Sequence, residues 1–219
     1  MSKPGFETMR TAMVDSQLRT SGVSDARLLA AFAAVPREMF VRRELANIAY
    51  VDAPVAVGPG RTMMEPLTLG RLLEAVKIGA DESVLIVGGS TGYSAAIIAR
   101  LAARVTMVEQ DAGLADLARG TLTMLGVDTV VVIEAPNTGG ASDGAPYDVL
   151  LLDGAVEVLP DVLLGQLRDG GRVVGVKLDG GVGRAMTGVM IAGAFGSENF
   201  AEAVAAPLPG FSRETVFVF

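Results

Sequence analysis

Apolar residues in the second half of the chain come in short, unbroken runs rather than in alternation with polar residues. These runs predict buried strands over residues 83–87, 104–109, 129–134, 147–153 and 171–177. Stretches with apolar residues at helical spacing separate them, over residues 92–101, 112–125 and 160–167. Unbroken apolar strands suit a parallel sheet that helices cover on both faces. The pattern therefore predicts an α/β fold with a doubly wound, mostly parallel Rossmann-like sheet.

The residues before this region predict helices instead. Apolar spacing indicates helices over residues 7–19, 25–35 and 67–76, with Ser24 as the N-cap of the second and Pro36 at its end. Residues 49–61 are rich in Pro and Gly, which predicts an irregular or weakly extended segment. Three further strand candidates lie in the tail, over residues 185–193, 199–205 and 214–219. We predict an N-terminal helical and substrate-loop region over residues 1–80 and a Rossmann-like domain over residues 81–219, which could form one compact unit.

The 219 residues include no histidine, cysteine or tryptophan. The chain therefore lacks the imidazole and thiolate groups of Ser-His-Asp and Cys-His catalysis, and it cannot form disulfides or a zinc site of that kind. We expect no metal site. Methyl, phosphoryl and hydride transfer remain open, because positioning and a bound cofactor can carry each of them.

Charge is distributed unevenly along the chain. The net charge is −7, yet residues 1–45 carry 7 basic and 5 acidic groups, whereas residues 46–219 carry 11 basic and 20 acidic groups. The acidic main body repels phosphate backbones, so we expect no nucleic-acid partner. No apolar run reaches the roughly 18 residues of a membrane span, and the first residues lack the apolar stretch of a signal peptide. We expect cytoplasmic residence and no membrane partner.

The most informative stretch is the turn Gly88-Gly89-Ser90-Thr91-Gly92-Tyr93. A buried strand that enters a glycine-rich turn and then a helix is where α/β folds hold nucleotide-like cofactors. The spacing is G-G-x-x-G rather than G-x-G-x-x-G, so an ordinary tight turn between strand and helix explains it equally well.

Two carboxylates follow later strands at the same edge of the predicted sheet. Glu109 ends the second strand, about twenty residues after the glycine turn, where an acidic residue binds ribose hydroxyls in cofactor-binding folds. The alternative is a solvent-facing carboxylate that caps the next helix. Asp153 ends the fourth strand, and an ordinary loop residue before Gly154 is an equally good interpretation of it.

With these motifs in place, the chain resembles a diverged member of the protein-L-isoaspartate O-methyltransferases, a family of class I S-adenosylmethionine-dependent methyltransferases. The resemblance covers roughly residues 9–176. Its most specific elements are the segment Val35-Pro36-Arg37-Glu38-Met39-Phe40-Val41, which matches the family's V-P-R-E-x-F-V, and Gly92-Tyr93. Residues 61–66 fall where the family has its substrate loop, usually Q-T-I-S-x-P.

The resemblance implies a cofactor, a substrate and a reaction. S-adenosyl-L-methionine would be the cofactor, with contacts from Gly88, Gly89, Ser90, Gly92, Tyr93 and Glu109. Thr62 and Pro66 would position a protein or peptide substrate, and the reaction would methylate the α-carboxyl group of an L-isoaspartyl residue. The catalytic residue is unknown, because Met64 occupies the position of the family's loop serine.

Four positions depart from the family pattern. Met64 replaces the loop serine, Ile86 an acidic residue, Ser90 the middle glycine, and Ala135 the Asp that faces the adenine. The three departures at the cofactor could weaken its binding by roughly a hundredfold or more. They keep a second hypothesis open, a non-catalytic relative that acts as a binding or interaction protein. A nicotinamide-dependent oxidoreductase is a third, less favoured one.

Overall fold

The computed structural model describes residues 5–213, and its N-terminal part is mostly helical, as predicted. Helix α1 (Phe6–Met13) continues through a π-helical turn (Val14–Leu18), and α2 (Ala26–Ala34) follows. The weakly extended segment contains an antiparallel hairpin of two short strands, β1 (Val55–Gly58) and β2 (Arg61–Met63). Helix α3 (Pro66–Val76) follows the hairpin with Pro66 in its first turn, where a missing N–H costs nothing.

Helix α2 begins one residue later than predicted, because Asp25 rather than Ser24 is its N-cap. The Asp25 carboxylate accepts hydrogen bonds from the backbone N–H groups of Arg27 at 2.7 Å and Leu28 at 3.1 Å. Ser24 instead donates its hydroxyl to the carboxylate of Glu74 at 2.8 Å, and this bond ties the start of α2 to α3. Both residue types cap helices well, so the residue type alone did not distinguish Ser24 from Asp25.

The rest of the chain alternates strands and helices as predicted. The strands are β3 (Ser83–Val87), β4 (Arg104–Glu109), β5 (Val130–Glu134), β6 (Tyr147–Val156), β7 (Leu167–Asp179), β8 (Val182–Ile191) and β9 (Ala194–Glu202). The helices are α4 (Tyr93–Ile98), α5 (Ala112–Met124) and α6 (Asp161–Leu164). Strands β8 and β9 correspond to two of the predicted tail strands, and the third, over residues 214–219, lies outside the described residues.

In the described residues, one sheet holds seven strands in the order β5-β4-β3-β6-β7-β8-β9. The first five run parallel, and β8 and β9 extend the sheet antiparallel to their neighbours. Every residue of β3 is buried, which explains its unbroken apolar sequence. The chain leaves β3 on one side for β4 and β5 and returns on the other side with β6. The carboxyl ends of β3 and β6 therefore border the switch point where such sheets bind ligands.

One hydrophobic core joins the helical N-terminal part to the sheet. Met13 and Phe32 belong to the same buried cluster as Leu72 of α3, Ile86 of β3 and Val174 of β7. Residues on both sides of position 80 thus share a core, while the division into two regions stays a prediction. No helix formed by residues 5–213 is both long enough and apolar enough to span a membrane.

Candidate active site

The residues singled out from the sequence meet at the carboxyl edge of the parallel strands. The glycine turn follows β3, and Glu109 is the last residue of β4. Asp153 lies just past the end of the β3–β6 pairing, whose last pair is Val87 with Leu152. Thr62 in β2 and Pro66 in α3 flank Met64, which lines one small cavity together with Ser90 and Asp153.

Backbone N–H groups of the glycine turn donate hydrogen bonds to other residues of the protein. Gly88 and Gly89 donate to the carbonyl oxygen of Val108 at 2.9 and 3.3 Å. The N–H group of Ser90 donates to Glu109 Oε2 at 2.9 Å. Ser90 holds a φ of 55°, a left-handed conformation that favours glycine, and its hydroxyl is buried without a hydrogen-bond partner among the described residues. The turn thus offers a ligand few free donors.

Glu109 is fully buried, and both oxygens of its carboxylate accept hydrogen bonds from protein donors. Besides Ser90, its partners are the N–H group of Asp111 at 3.0 Å and Arg61 Nη1 at 2.8 Å, both on Oε1. Helix α5 is capped by Asp111, which accepts from the N–H group of Leu114 at 2.9 Å. The alternative that Glu109 is a solvent-facing helix cap is therefore wrong.

Arg61 is a buried, charged side chain at this edge that the sequence reasoning missed. It begins β2, is almost completely buried, and forms an ion pair with Glu109 across 2.8 Å. Its second terminal nitrogen, Nη2, donates to the carbonyl oxygen of Gly88 at 2.8 Å. One signal could have found it, because a cation stands here where the family's loop usually has glutamine.

A second side chain from this chain fills the crevice at the switch point. The segment around Leu208 runs along β6, with the N–H group of Leu208 bonded to Ala155 O and that of Ala155 to Ala206 O, both at 2.8 Å. The Leu208 side chain is buried against Gly88 and Gly154, and a Cβ atom at Gly154 would lie 2.6 Å from it. The sequence carried no signal for this contact, because Leu208 belongs to no helical or strand pattern.

These contacts decide whether S-adenosylmethionine fits the described conformation. Small-molecule sites usually enclose about 300–1,000 Å³. The cavity left among Met64, Ser90, Tyr93 and Asp153 is only about 10 Å³. Ile86, where the family has an acidic residue, is fully buried in the apolar core. With Glu109 and the turn's N–H groups also engaged, these residues do not fit the cofactor in this conformation.

Next to the cavity, Arg37 and Tyr93 form a buried pair. Arg37 donates to the carbonyl oxygens of Ala49 at 2.5 Å and Met64 at 2.6 Å, and its guanidinium lies 4.6 Å from the centre of the Tyr93 ring. Burial lowers the pKa of Arg37 and raises that of Tyr93. The Tyr93 ring also packs edge-on against Phe40, with ring centres 5.5 Å apart. In this conformation Tyr93 therefore packs in the core rather than facing an open cofactor pocket.

The pKa of the Asp153 carboxyl at this edge is raised above its usual value. Burial raises its pKa to about 6, although the hydrogen bond from Ser94 Oγ at 2.5 Å acts in the opposite direction. Of the charged neighbours, Arg61 and Arg37 lower its pKa and Glu109 raises it. Asp153 is thus poised to change charge near neutral pH.

At the end of β5, the expected adenine side of the site carries no buried acid. Glu134 is exposed there, and Ala135, which is half-buried, donates its N–H group to the backbone oxygen of Glu109 at 3.3 Å. The contact that the family makes from this position has no counterpart in the Ala135 side chain.

Comparison with known proteins identifies similar chains. The sequence model described as protein-L-isoaspartate(D-aspartate) O-methyltransferase matches residues 9–180. A protein-L-isoaspartate O-methyltransferase of Koribacter versatilis is 43% identical over 170 residues, covering 78% of this chain and 77% of that protein. One from Methanoculleus marisnigri is 38% identical over 165 residues, covering 75% of each.

Solved structures show the same fold. A protein-L-isoaspartate O-methyltransferase superposes with a TM-score of 0.83 at 24% identity, covering 94% of this chain and 66% of that chain. A putative enzyme of the same name from Plasmodium falciparum, in complex with S-adenosyl-L-homocysteine, gives a TM-score of 0.73 at 17% identity, covering 93% and 99%. Arg61 and Glu109 lie within the matched sequence range, whereas Leu208 lies beyond it.

Proposed function

Because the chain belongs to the protein-L-isoaspartate(D-aspartate) O-methyltransferase family, we propose that it is a protein carboxyl methyltransferase. Its substrate is the carboxylate of L-isoaspartyl residues in proteins or peptides, and S-adenosylmethionine is the methyl donor. The observation that carries the proposal is the family match over residues 9–180, which includes the substrate segment, the glycine turn and Glu109.

The chemistry suits a chain without histidine or cysteine. A carboxylate oxygen is already nucleophilic at neutral pH, so the protein's task is to align the reactants and exclude water. In this proposal Thr62 and Pro66 contact the substrate. The cofactor contacts come from Gly88, Gly89, Ser90, Gly92, Tyr93 and Glu109. Cytoplasmic residence belongs to the same proposal.

In the described conformation the cleft proposed for the cofactor is closed. Arg61 holds Glu109, and Leu208 fills the crevice beside Gly88. Activity therefore requires a second conformation in which both side chains have moved away from the cleft.

A methyl-transfer assay tests the proposal directly. The purified chain is incubated with S-adenosylmethionine labelled in its methyl group and a peptide that contains one L-isoaspartyl residue. We expect label in this peptide and none in the matched peptide with an ordinary aspartyl residue. Absence of labelled peptide above the protein-free reaction, at stoichiometric protein, would reject the proposed activity.

One observation favours a second candidate, a non-catalytic relative that acts as a binding or interaction protein. That observation is the cleft filled by Arg61 and Leu208, together with Ile86 and Ser90 in place of cofactor-binding residues. The relatives named above give this candidate no support. A crystal grown with excess S-adenosyl-L-homocysteine discriminates between the two, since density for it beside Gly88 counts against the non-catalytic candidate.

A further inference from the structure

We infer that Arg61 is a built-in competitor of the cofactor: its guanidinium closes the cleft by binding Glu109, and cofactor binding requires this ion pair to open. The inference rests on the proposed function, because it assumes that a nucleoside ligand binds at the carboxyl ends of β3 and β4.

The Arg61 side chain bonds acceptors at the ends of two strands, β3 and β4. Arg61 Nη1 lies 2.8 Å from Glu109 Oε1 at the end of β4, and Nη2 lies 2.8 Å from the carbonyl oxygen of Gly88 after β3. A guanidinium presents its N–H donors in a rigid planar fork, so one side chain can hold both acceptors at once. The two strand ends that border the expected ribose position are thus bridged by protein.

The charges make Arg61 a strong competitor. A ribose hydroxyl and a guanidinium both donate charge-assisted hydrogen bonds to a carboxylate, but only the guanidinium adds the attraction of an opposite charge. Glu109 is fully buried, and its other bonds are to the N–H groups of Ser90 and Asp111. Arg61 is the side-chain donor among these partners, so it is the one that a ligand at Glu109 would displace.

The hairpin that carries Arg61 is separate from the main sheet. Within residues 5–213, strands β1 and β2 pair only with each other, and Arg61 directly follows the exposed turn at Pro59 and Gly60. Arg61 can consequently move away from Glu109 without breaking any strand pairing of the seven-stranded sheet. The family's usual residue at this position, glutamine, can form hydrogen bonds but no ion pair.

The test measures binding of S-adenosyl-L-homocysteine by isothermal titration calorimetry to the whole chain and its variants. We expect Arg61→Gln to bind at least tenfold more tightly than the unmodified chain. Arg61→Lys keeps a cation for Glu109 but loses the planar fork that bonds both acceptors, so we expect a smaller gain. Arg104→Gln is the matched control, because Arg104 is exposed at the opposite end of β4, and we expect no change.

The outcomes separate this inference from the proposed function. Equal, measurable affinity in the unmodified chain and both Arg61 variants overturns the competitor and leaves the proposed function intact. Absence of binding in all of them, with native circular dichroism spectra, overturns both. Should Arg61→Gln not fold, Arg61→Lys decides alone, and affinity no better than that of the unmodified chain overturns the competitor.

Discussion

Two buried arginines contact residues of the candidate site, and their partners differ in charge. Arg37, in the segment that matches the family signature, bonds the backbone carbonyls of Ala49 and Met64 and stacks on the ring of Tyr93. Arg61 bonds the carboxylate of Glu109 and a single carbonyl, that of Gly88. Arg37 thus joins protein segments to one another, whereas Arg61 bonds the carboxylate that we propose as a cofactor contact.

The difference shows that burial of an arginine does not by itself indicate its role. Neutral carbonyl acceptors satisfy a guanidinium without neutralising it, and burial accordingly lowers the pKa of Arg37. A buried carboxylate neutralises the charge, but removal of either partner then leaves an uncompensated ion. The two regions should therefore respond differently to substitution.

The largest effect is expected at the charged pair. Glu109→Ala leaves the Arg61 cation and the N–H groups of Ser90 and Asp111 without their acceptor, so we expect unfolding free energy to fall by about 4 kcal/mol. Urea denaturation measures this loss. Glu134→Ala is the matched control, since Glu134 stands opposite Glu109 in the pairing of β4 with β5 but is exposed. A similar loss in both variants would contradict the assigned role of the buried pair.

A smaller loss of unfolding free energy is expected at Arg37, whose hydrogen-bond partners are neutral carbonyls. Arg37→Met keeps the length of the side chain but leaves the buried carbonyls of Ala49 and Met64 without donors, which should cost about 3 kcal/mol. Arg42→Met provides the control on an exposed arginine, with an expected change within about 0.5 kcal/mol. If Arg37→Met costs more than Glu109→Ala in the same denaturation series, the comparison between neutral and charged partners is reversed.

The sequence predicted the sheet better than the site, for a physical reason. Strands β3 and β4 were predicted with their observed bounds, because an unbroken apolar run and the polar or glycine residue after it are local signals. Parallel strands then had to bring the glycine turn and Glu109 to one edge, which required no knowledge of individual contacts.

Side chains that arrive from distant segments could not be predicted in this way. Arg61 and Glu109 are 48 positions apart, and no local pattern states which acceptor a long cation will reach. Leu208 reaches Gly88 from the far end of the chain. We expected cofactor binding because the backbone places the glycine turn and Glu109 at one edge of the sheet. Whether that edge is open to a ligand depends on the long-range contacts of Arg61 and Leu208.

The next largest effect on stability is expected at Asp153, whose pKa the charges of both arginines lower. Burial raises its pKa from 3.8 to about 6, so the native state holds the proton more tightly than the unfolded state. The stability that this provides is complete below about pH 4 and is lost as pH rises through 6. A shift of this size corresponds to about 3 kcal/mol at most, and partial exposure of the side chain reduces our expectation to about 1–2 kcal/mol.

Asp153→Asn removes this titration and measures it. Urea unfolding at several values between pH 4 and 7 should show the unmodified chain losing stability relative to the variant by that amount as pH rises. Parallel curves for the two proteins would show that the pKa of Asp153 is the same in the native and unfolded chains, which contradicts the raised native pKa.

The smallest effect has the opposite sign and lies beside Arg61. Ser90 has a φ of 55° and a buried hydroxyl without a partner, so Ser90→Gly should raise the unfolding free energy by about 0.5–1 kcal/mol. Lys77→Gly is the matched control, because Lys77 has a φ of 49° but is exposed, and its gain reports the backbone alone. A larger gain at Ser90 than at Lys77 assigns the difference to the hydroxyl. A loss of stability at Ser90 would mean that the hydroxyl is bonded, and the closed cleft would then be held by Ser90 as well as by Arg61.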